Sequence, residues 1–125
     1  MAAPTHSERL EARRFGRLAE TLAAWRLRLS GYRIVARGYR VAAGEIDIVA
    51  RRGRVLVFVE VKARRDLAAA AEAVRPRQAG RIVRAAEAFV QARPGFRGLD
   101  QRFDAVLVRP WRLPVHIKDA WRPDA

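Results

Sequence analysis

The sequence predicts an α/β fold: a mixed central β-sheet with helices on its two faces. Three observations carry that prediction. Apolar residues recur at helical spacing from Leu10 to Leu29. The run Val55-Leu56-Val57-Phe58-Val59 is apolar without a break, as a strand is when both of its faces are covered. A second helical repeat (Ala79, Ile82, Val83, Ala86, Val90) separates that strand from two further strand-like stretches. The predicted order is α-β-β-β-α-β-β.

Each element has its own signal. Thr5 and Glu8 have the spacing of a capping box, and Gly31 suits a helix C-cap. The first helix is therefore read as Glu8 to Ser30, after a flexible lead at 1–7. Its stripe of Leu10, Phe15, Leu18, Ala19, Leu22, Trp25 and Leu29 is read as the face that meets the sheet. Tyr32 to Tyr39, Glu45 to Ala50 and Arg54 to Ala63 read as three strands, the last two joined by a tight turn at Arg51-Arg52-Gly53. Pro76 suits the first turn of the second helix, which ends near Arg93-Pro94-Gly95. Arg102 to Arg109 and Val115 to Ile117 read as the closing strands.

The chain has 125 residues, which predicts a single domain over 1–125. It has no cysteine, which excludes disulfides, zinc-thiolate sites and thiol catalysis, and predicts a cytoplasmic setting. No apolar run reaches the length of a membrane span, and no apolar signal region follows the N-terminus, so no membrane partner is expected. The net charge is +13, from 26 basic and 13 acidic residues. All the basic residues but Lys62 and Lys118 are arginine. A coding bias explains arginine over lysine better than it explains the excess charge. Such an excess attracts a polyanion, and nucleic acid is the commonest one.

The chemistry concentrates at the end of the apolar strand, in Val59-Glu60-Val61-Lys62. Charges at the end of a buried strand carry a desolvation cost unless they are paired or used. Side chains alternate along a strand, so Glu60 and Lys62 face the same way. With a hairpin loop of two residues (Arg52-Gly53) or four, Asp47 stands opposite Phe58 and shares that face, as does Glu45. A loop of odd length reverses the relation. Clustered carboxylates repel each other unless a cation lies between them, and oxygen-only ligands suit Mg2+ or Mn2+. Lysine, with its compact charge, suits orienting a water better than arginine does. An ordinary ion pair of Glu60 with Lys62 is the plain alternative, and it leaves Asp47 and Glu45 unexplained.

Gly44-Glu45-Ile46-Asp47-Ile48-Val49-Ala50 and Val57-Phe58-Val59-Glu60-Val61-Lys62-Ala63-Arg64 closely resemble the YraN-like family of uncharacterised bacterial proteins, within the restriction-endonuclease-like superfamily. Arg102-Phe103-Asp104 and the spacing of Glu20, Ala23 and Gly31-Tyr32 support the resemblance, which runs from about Gly16 to the end. It implies a restriction-endonuclease-like fold, Asp47 and Glu60 as metal ligands and Lys62 as the catalytic lysine. It adds Glu20 on the first helix and Gln78 on the second as site neighbours. The sequence departs from the pattern at Ile46, where the superfamily motif has proline, and at Gly38, Arg77 and Ala68 to Ala71.

The leading functional reading is a divalent-metal-dependent nuclease acting on nucleic acid, with structured or branched DNA as its substrate. Its catalytic set is Asp47, Glu60, Lys62, Glu20 and Gln78, with Glu45 as a further metal ligand. Arg64, Arg75, Arg77 and Arg81 are assigned to nucleic acid, the last three along the second helix. Symmetric cutting of a junction requires a homodimer. The alternative is a non-catalytic nucleic-acid-binding module on the same fold. Trp25 is read as core filling, Trp111 and Trp121 as edge packing, His6 and His116 as surface or packing residues, and Asp104 as the partner of Arg102.

Overall fold

The computed structural model describes residue 3 and residues 5–64 and 78–123, apart from the side chains of 11–15. Helix α1 (His6–Leu29) begins where Thr5 Oγ1 accepts the Glu8 N–H at 3.1 Å, so its first turn takes in two residues of the predicted flexible lead. At its other end Gly31 N–H donates to the Arg28 carbonyl and Tyr32 N–H to the Leu27 carbonyl, each at 3.0 Å. Gly31 sits at φ +88°, the left-handed conformation this type of cap requires.

Three antiparallel strands follow: β1 (Arg33–Val41), β2 (Gly44–Arg52) and β3 (Val55–Ala63). Helix α2 (Ala79–Ala92) and a 3-10 turn at Pro94–Phe96 lead to β4 (Asp100–Val108), which runs parallel to β3. The edge strand β5 (Val115–Ile117) pairs antiparallel with β4. The sheet is mixed, in the order β1-β2-β3-β4-β5. Element order and type match the sequence prediction. The predicted helix start at Pro76 lies outside the described residues.

The doubly apolar strand is central, as its composition requires. Val57 and Val59 pack with Ala19, Ala23, Ala24 and Leu27 of α1, and Leu56 and Phe58 pack with Ala85, Ala86 and Phe89 of α2. Burying each large apolar side chain contributes roughly 1.5–3 kcal/mol, so these residues anchor β3 rigidly between the helices. Gly44 fixes the β1–β2 turn against α2: a Cβ there would lie 2.0 Å from the Arg81 carbonyl oxygen.

The face assigned to α1 needs correction. Leu18, Leu22, Trp25 and Leu29 are exposed, and the buried stripe is Ala19, Ala23, Ala24 and Leu27. Two apolar stripes of the same period lie side by side on α1. The one made of small residues meets the sheet, because alanines let the helix axis approach the strands closely. Trp25 is therefore a surface residue, with the Arg28 guanidinium 5.4 Å from its ring. Trp121 is buried against Phe103, with ring centroids 4.5 Å apart. Trp111, predicted to pack at an edge, is fully exposed.

Candidate active site

The β2–β3 turn is Gly53-Arg54, with Arg52 facing Val55 and Gly53 at φ +59°. This register runs two residues further than the predicted one. Phe58 therefore faces Val49 rather than Asp47. An even shift leaves the predicted faces of the paired residues unchanged, and Asp47 lies one residue beyond the last of those pairs. The ladder between the two strands ends at Ile48 and Val59, and beyond that pair they part.

Asp47 sits at a break in the pleat. Arg37 pairs with Ile48, and both lie on the α1 side, where Arg37 meets Glu20. Tyr39 pairs with Ile46, and both lie on the α2 side. Residues two apart ordinarily share a face. Here both strands change sides across Gly38 and Asp47, and Gly38 takes φ +59°. The change of side turns the Asp47 carboxylate toward β3, where Oδ2 accepts the Val61 N–H at 2.8 Å. A side chain thus replaces the ladder bond that β2 no longer supplies.

Burial pushes the Asp47 carboxyl up to about 6, against the pull of the Val61 N–H, and the carboxylates of Glu20, Glu60 and Glu45 add to the rise. Burial also raises Glu60, and the charges of Lys62 and Arg64 partly offset it. Glu60 Oε2 is buried without a hydrogen-bond partner among the described residues. Lys62 is only 5% exposed. Four carboxylates and one buried amine thus act on one another where β2 and β3 diverge. Glu20 is held from α1 by Arg37, whose Nε donates to Oε1 at 3.1 Å. Arg37 and Gly38 are the contributors that sequence reasoning missed.

The family model for uncharacterised protein family UPF0102 matches residues 19–108. The chain belongs to UPF0102. The matched stretch runs from buried Ala19 on α1 to the end of β4, so it takes in every residue just described. A UPF0102 protein of Parvibaculum lavamentivorans is 57% identical over 114 residues, covering 91% of this chain and 86% of the relative. One from Paramagnetospirillum magneticum is 51% identical, covering 98% of each chain. One from Mesorhizobium japonicum is 47% identical, covering 97% of each. These names state the family and no activity.

Within this UPF0102 fold the remaining sequence-predicted residues scatter. Glu45 turns to Arg40 on β1, with Oε2 3.0 Å from Nε in an exposed ion pair, rather than toward Glu60. The strand's change of side after Ile46 accounts for that. Gln78 caps α2 from an exposed position, without a side-chain hydrogen bond to the helix. Arg81 is exposed on α2, and Arg64 is exposed where β3 ends. Arg75 and Arg77 lie outside the described residues. Among the described residues no three His, Cys, Asp or Glu side chains are grouped closely enough to hold one ion. No helix among them is long and apolar enough to cross a membrane.

A second polar cluster lies on the other side of β3. Asp104 is fully buried and uses both oxygens twice. Oδ1 accepts from Arg102 Nε at 2.7 Å and from the Asp119 N–H at 2.9 Å. Oδ2 accepts from Arg102 Nη2 and His116 Nε2, each at 2.7 Å. Arg102 also donates to the Tyr32 hydroxyl at 2.7 Å. The predicted Arg102–Asp104 pair is present, and His116 is buried beside it rather than on the surface. A cleft of about 510 Å³ lined by Val55, Asp100, Arg102 and Trp121 opens at the start of β3 and β4, away from Asp47 and Glu60.

Proposed function

We propose that this UPF0102 chain is a divalent-metal-dependent nuclease of restriction-endonuclease-like fold that hydrolyses phosphodiester bonds in structured DNA. One observation carries the reading: a buried carboxylate oxygen of Glu60 lacks a partner beside Asp47, whose own carboxyl is pushed up to about 6. A buried carboxylate left incompletely paired and next to another is a poor structural element and a good cation ligand.

Asp47 and Glu60 fit Mg2+ or Mn2+, since magnesium sites commonly use one or two carboxylates and leave the rest of the shell to water and phosphate. A bound divalent ion would polarise a phosphoryl oxygen and acidify a water. The protein's own residues supply the rest. The Val61 N–H fixes the orientation of Asp47. Lys62, held in the buried strand, presents a compact charge that orients water or balances the charge developing on phosphate. Arg37 keeps Glu20 at the margin of the site. Arg64, Arg81 and the +13 net charge draw in the DNA backbone.

The absence of a three-residue acidic group among the described residues favours a second reading, a nucleic-acid-binding module without catalysis. A cleavage assay separates the two. Duplex, junction, flap and single-stranded DNA are incubated with Mg2+, Mn2+ or EDTA, using wild type and Lys62→Ala. The nuclease reading expects metal-dependent cutting by wild type and a loss of at least about 100-fold in Lys62→Ala with substrate binding nearly intact. Binding without cutting, with either metal and on every substrate, leaves the binding module as the better description.

A further inference from the structure

The β4–β5 loop, Arg109-Pro110-Trp111-Arg112-Leu113-Pro114, is built for exposure. Trp111 is 101% exposed, and Leu113 is exposed beside it. Trp111 also sits at φ 59°, in the left-handed region that bulky side chains seldom adopt. Prolines on both sides of the Trp-Arg-Leu segment restrict its backbone. The Arg112 N–H closes a turn on the Arg109 carbonyl, and Arg26 Nε from α1 donates to the Pro114 carbonyl at 3.3 Å. The loop is therefore held in place while its indole stays in water. One exposed tryptophan is unremarkable in itself. Holding it in a strained conformation, on a tethered loop, calls for a reason.

Its location and charge supply one. Strands β3 and β4 run parallel, with Lys62 level with Leu107 and Ala63 level with Val108. The loop thus leaves β4 at the same end of the sheet at which Glu60 and Lys62 leave β3. The Arg64 N–H donates to the Val108 carbonyl, joining the two strand exits. Arg109 Nε is buried without a hydrogen-bond partner among the described residues. Arg109 and Arg112 thus lie within two residues of Trp111 in the chain, and Arg64 lies at the adjoining strand exit.

We infer that this loop binds nucleic acid containing unpaired bases, with Trp111 stacking on one base while Arg109 and Arg112 meet the flanking phosphates. Aromatic stacking against a base requires a splayed or single strand, because bases in an intact duplex already stack on each other. The inference rests on the nuclease reading for the site next door, and it narrows the substrate to strands with unpaired bases near the scissile phosphate. The rigid loop lowers the ordering cost of binding.

The test is fluorescence anisotropy in EDTA, so that no cleavage intrudes, on labelled single-stranded, gapped and blunt duplex DNA. Wild type, Trp111→Gly and Trp111→Phe are compared. Glycine accepts the positive φ, so Trp111→Gly keeps the fold, which an unchanged melting temperature verifies. Trp111→Gly should weaken binding to single-stranded and gapped DNA by about 10- to 100-fold, with a much smaller change on blunt duplex. Trp111→Phe should keep most of the affinity. Equal affinity of Trp111→Gly and wild type for unpaired strands overturns the inference. So does a Trp111-dependent affinity for anionic lipid vesicles with none for oligonucleotides. Trp111-dependent binding by a protein that cuts nothing with Mg2+ or Mn2+ sustains the loop's role and removes the nuclease reading alone.

Discussion

Asp47 and Asp104 flank the same central strand, Asp47 one residue past the last β2–β3 pair at Ile48 and Val59, and Asp104 paired with Val59. Their surroundings are opposite. Burial works to raise Asp104, but Arg102, His116 and the Asp119 N–H outweigh it and hold the carboxyl at about 2. Among the described residues Asp47 accepts one hydrogen bond, from Val61, and burial, with neighbouring carboxylates, pushes it up to about 6. Asp104 is satisfied by the fold and stabilises it. Burial disfavours the charged form of Asp47. On the proposed nuclease reading, Asp47 is kept in that state to hold a metal ion.

The largest stability effect should come from the satisfied side. Asp104→Asn leaves Arg102 and His116 facing a neutral amide in a buried network. That should lower stability by about 3 kcal/mol, the range seen when one partner of a buried pair is removed. Urea denaturation at pH 7 measures it. A loss well under 1 kcal/mol would mean that the network is not what anchors β5.

The pH dependence sharpens the same contrast. The folded value of Asp104 lies below its ordinary 3.8. The unfolded chain therefore binds more protons, and this contribution is complete above about pH 4 and lost as pH falls toward 2. The folded value of Asp47 lies above its ordinary 3.8. The folded chain therefore binds more protons, and stability falls as pH rises from about 4 to about 6, after which the penalty is constant. In EDTA, Asp47→Asn should flatten the upper slope and leave the acid limb in place, while Asp104→Asn should flatten the acid limb. Unfolding curves from pH 2 to 8 distinguish the two.

Much of this was legible in the sequence. The unbroken apolar strand declared its central position, and Glu60 and Lys62 at its end marked the place where β2 and β3 part. The hairpin loop has an even length, as the favoured reading required, although the turn is Gly53-Arg54 and the register differs by two residues. Three features were not legible. The buried face of α1 was hidden because an alanine stripe and a leucine-tryptophan stripe share one period, and size favours the wrong one. The change of side at Gly38 and Asp47, which sends Glu45 to Arg40, breaks the alternation that any strand reading assumes. Trp111 read as edge packing because its left-handed backbone cannot be seen in residue type. The glycine at position 38, one of the departures from the family pattern, was the available signal for the break, since glycine accepts positive φ without strain.

The most direct test of the contrast is a double readout on Asp47→Asn: melting temperature in EDTA at pH 8, and cleavage of branched and gapped DNA with Mg2+ or Mn2+. Removing a raised, partly exposed carboxylate should stabilise the chain by about 1 kcal/mol, or about 4 °C in melting temperature. Cleavage should fall by at least about 100-fold. A variant that melts several degrees lower than wild type and cuts as well would show that Asp47, like Asp104, serves the fold alone.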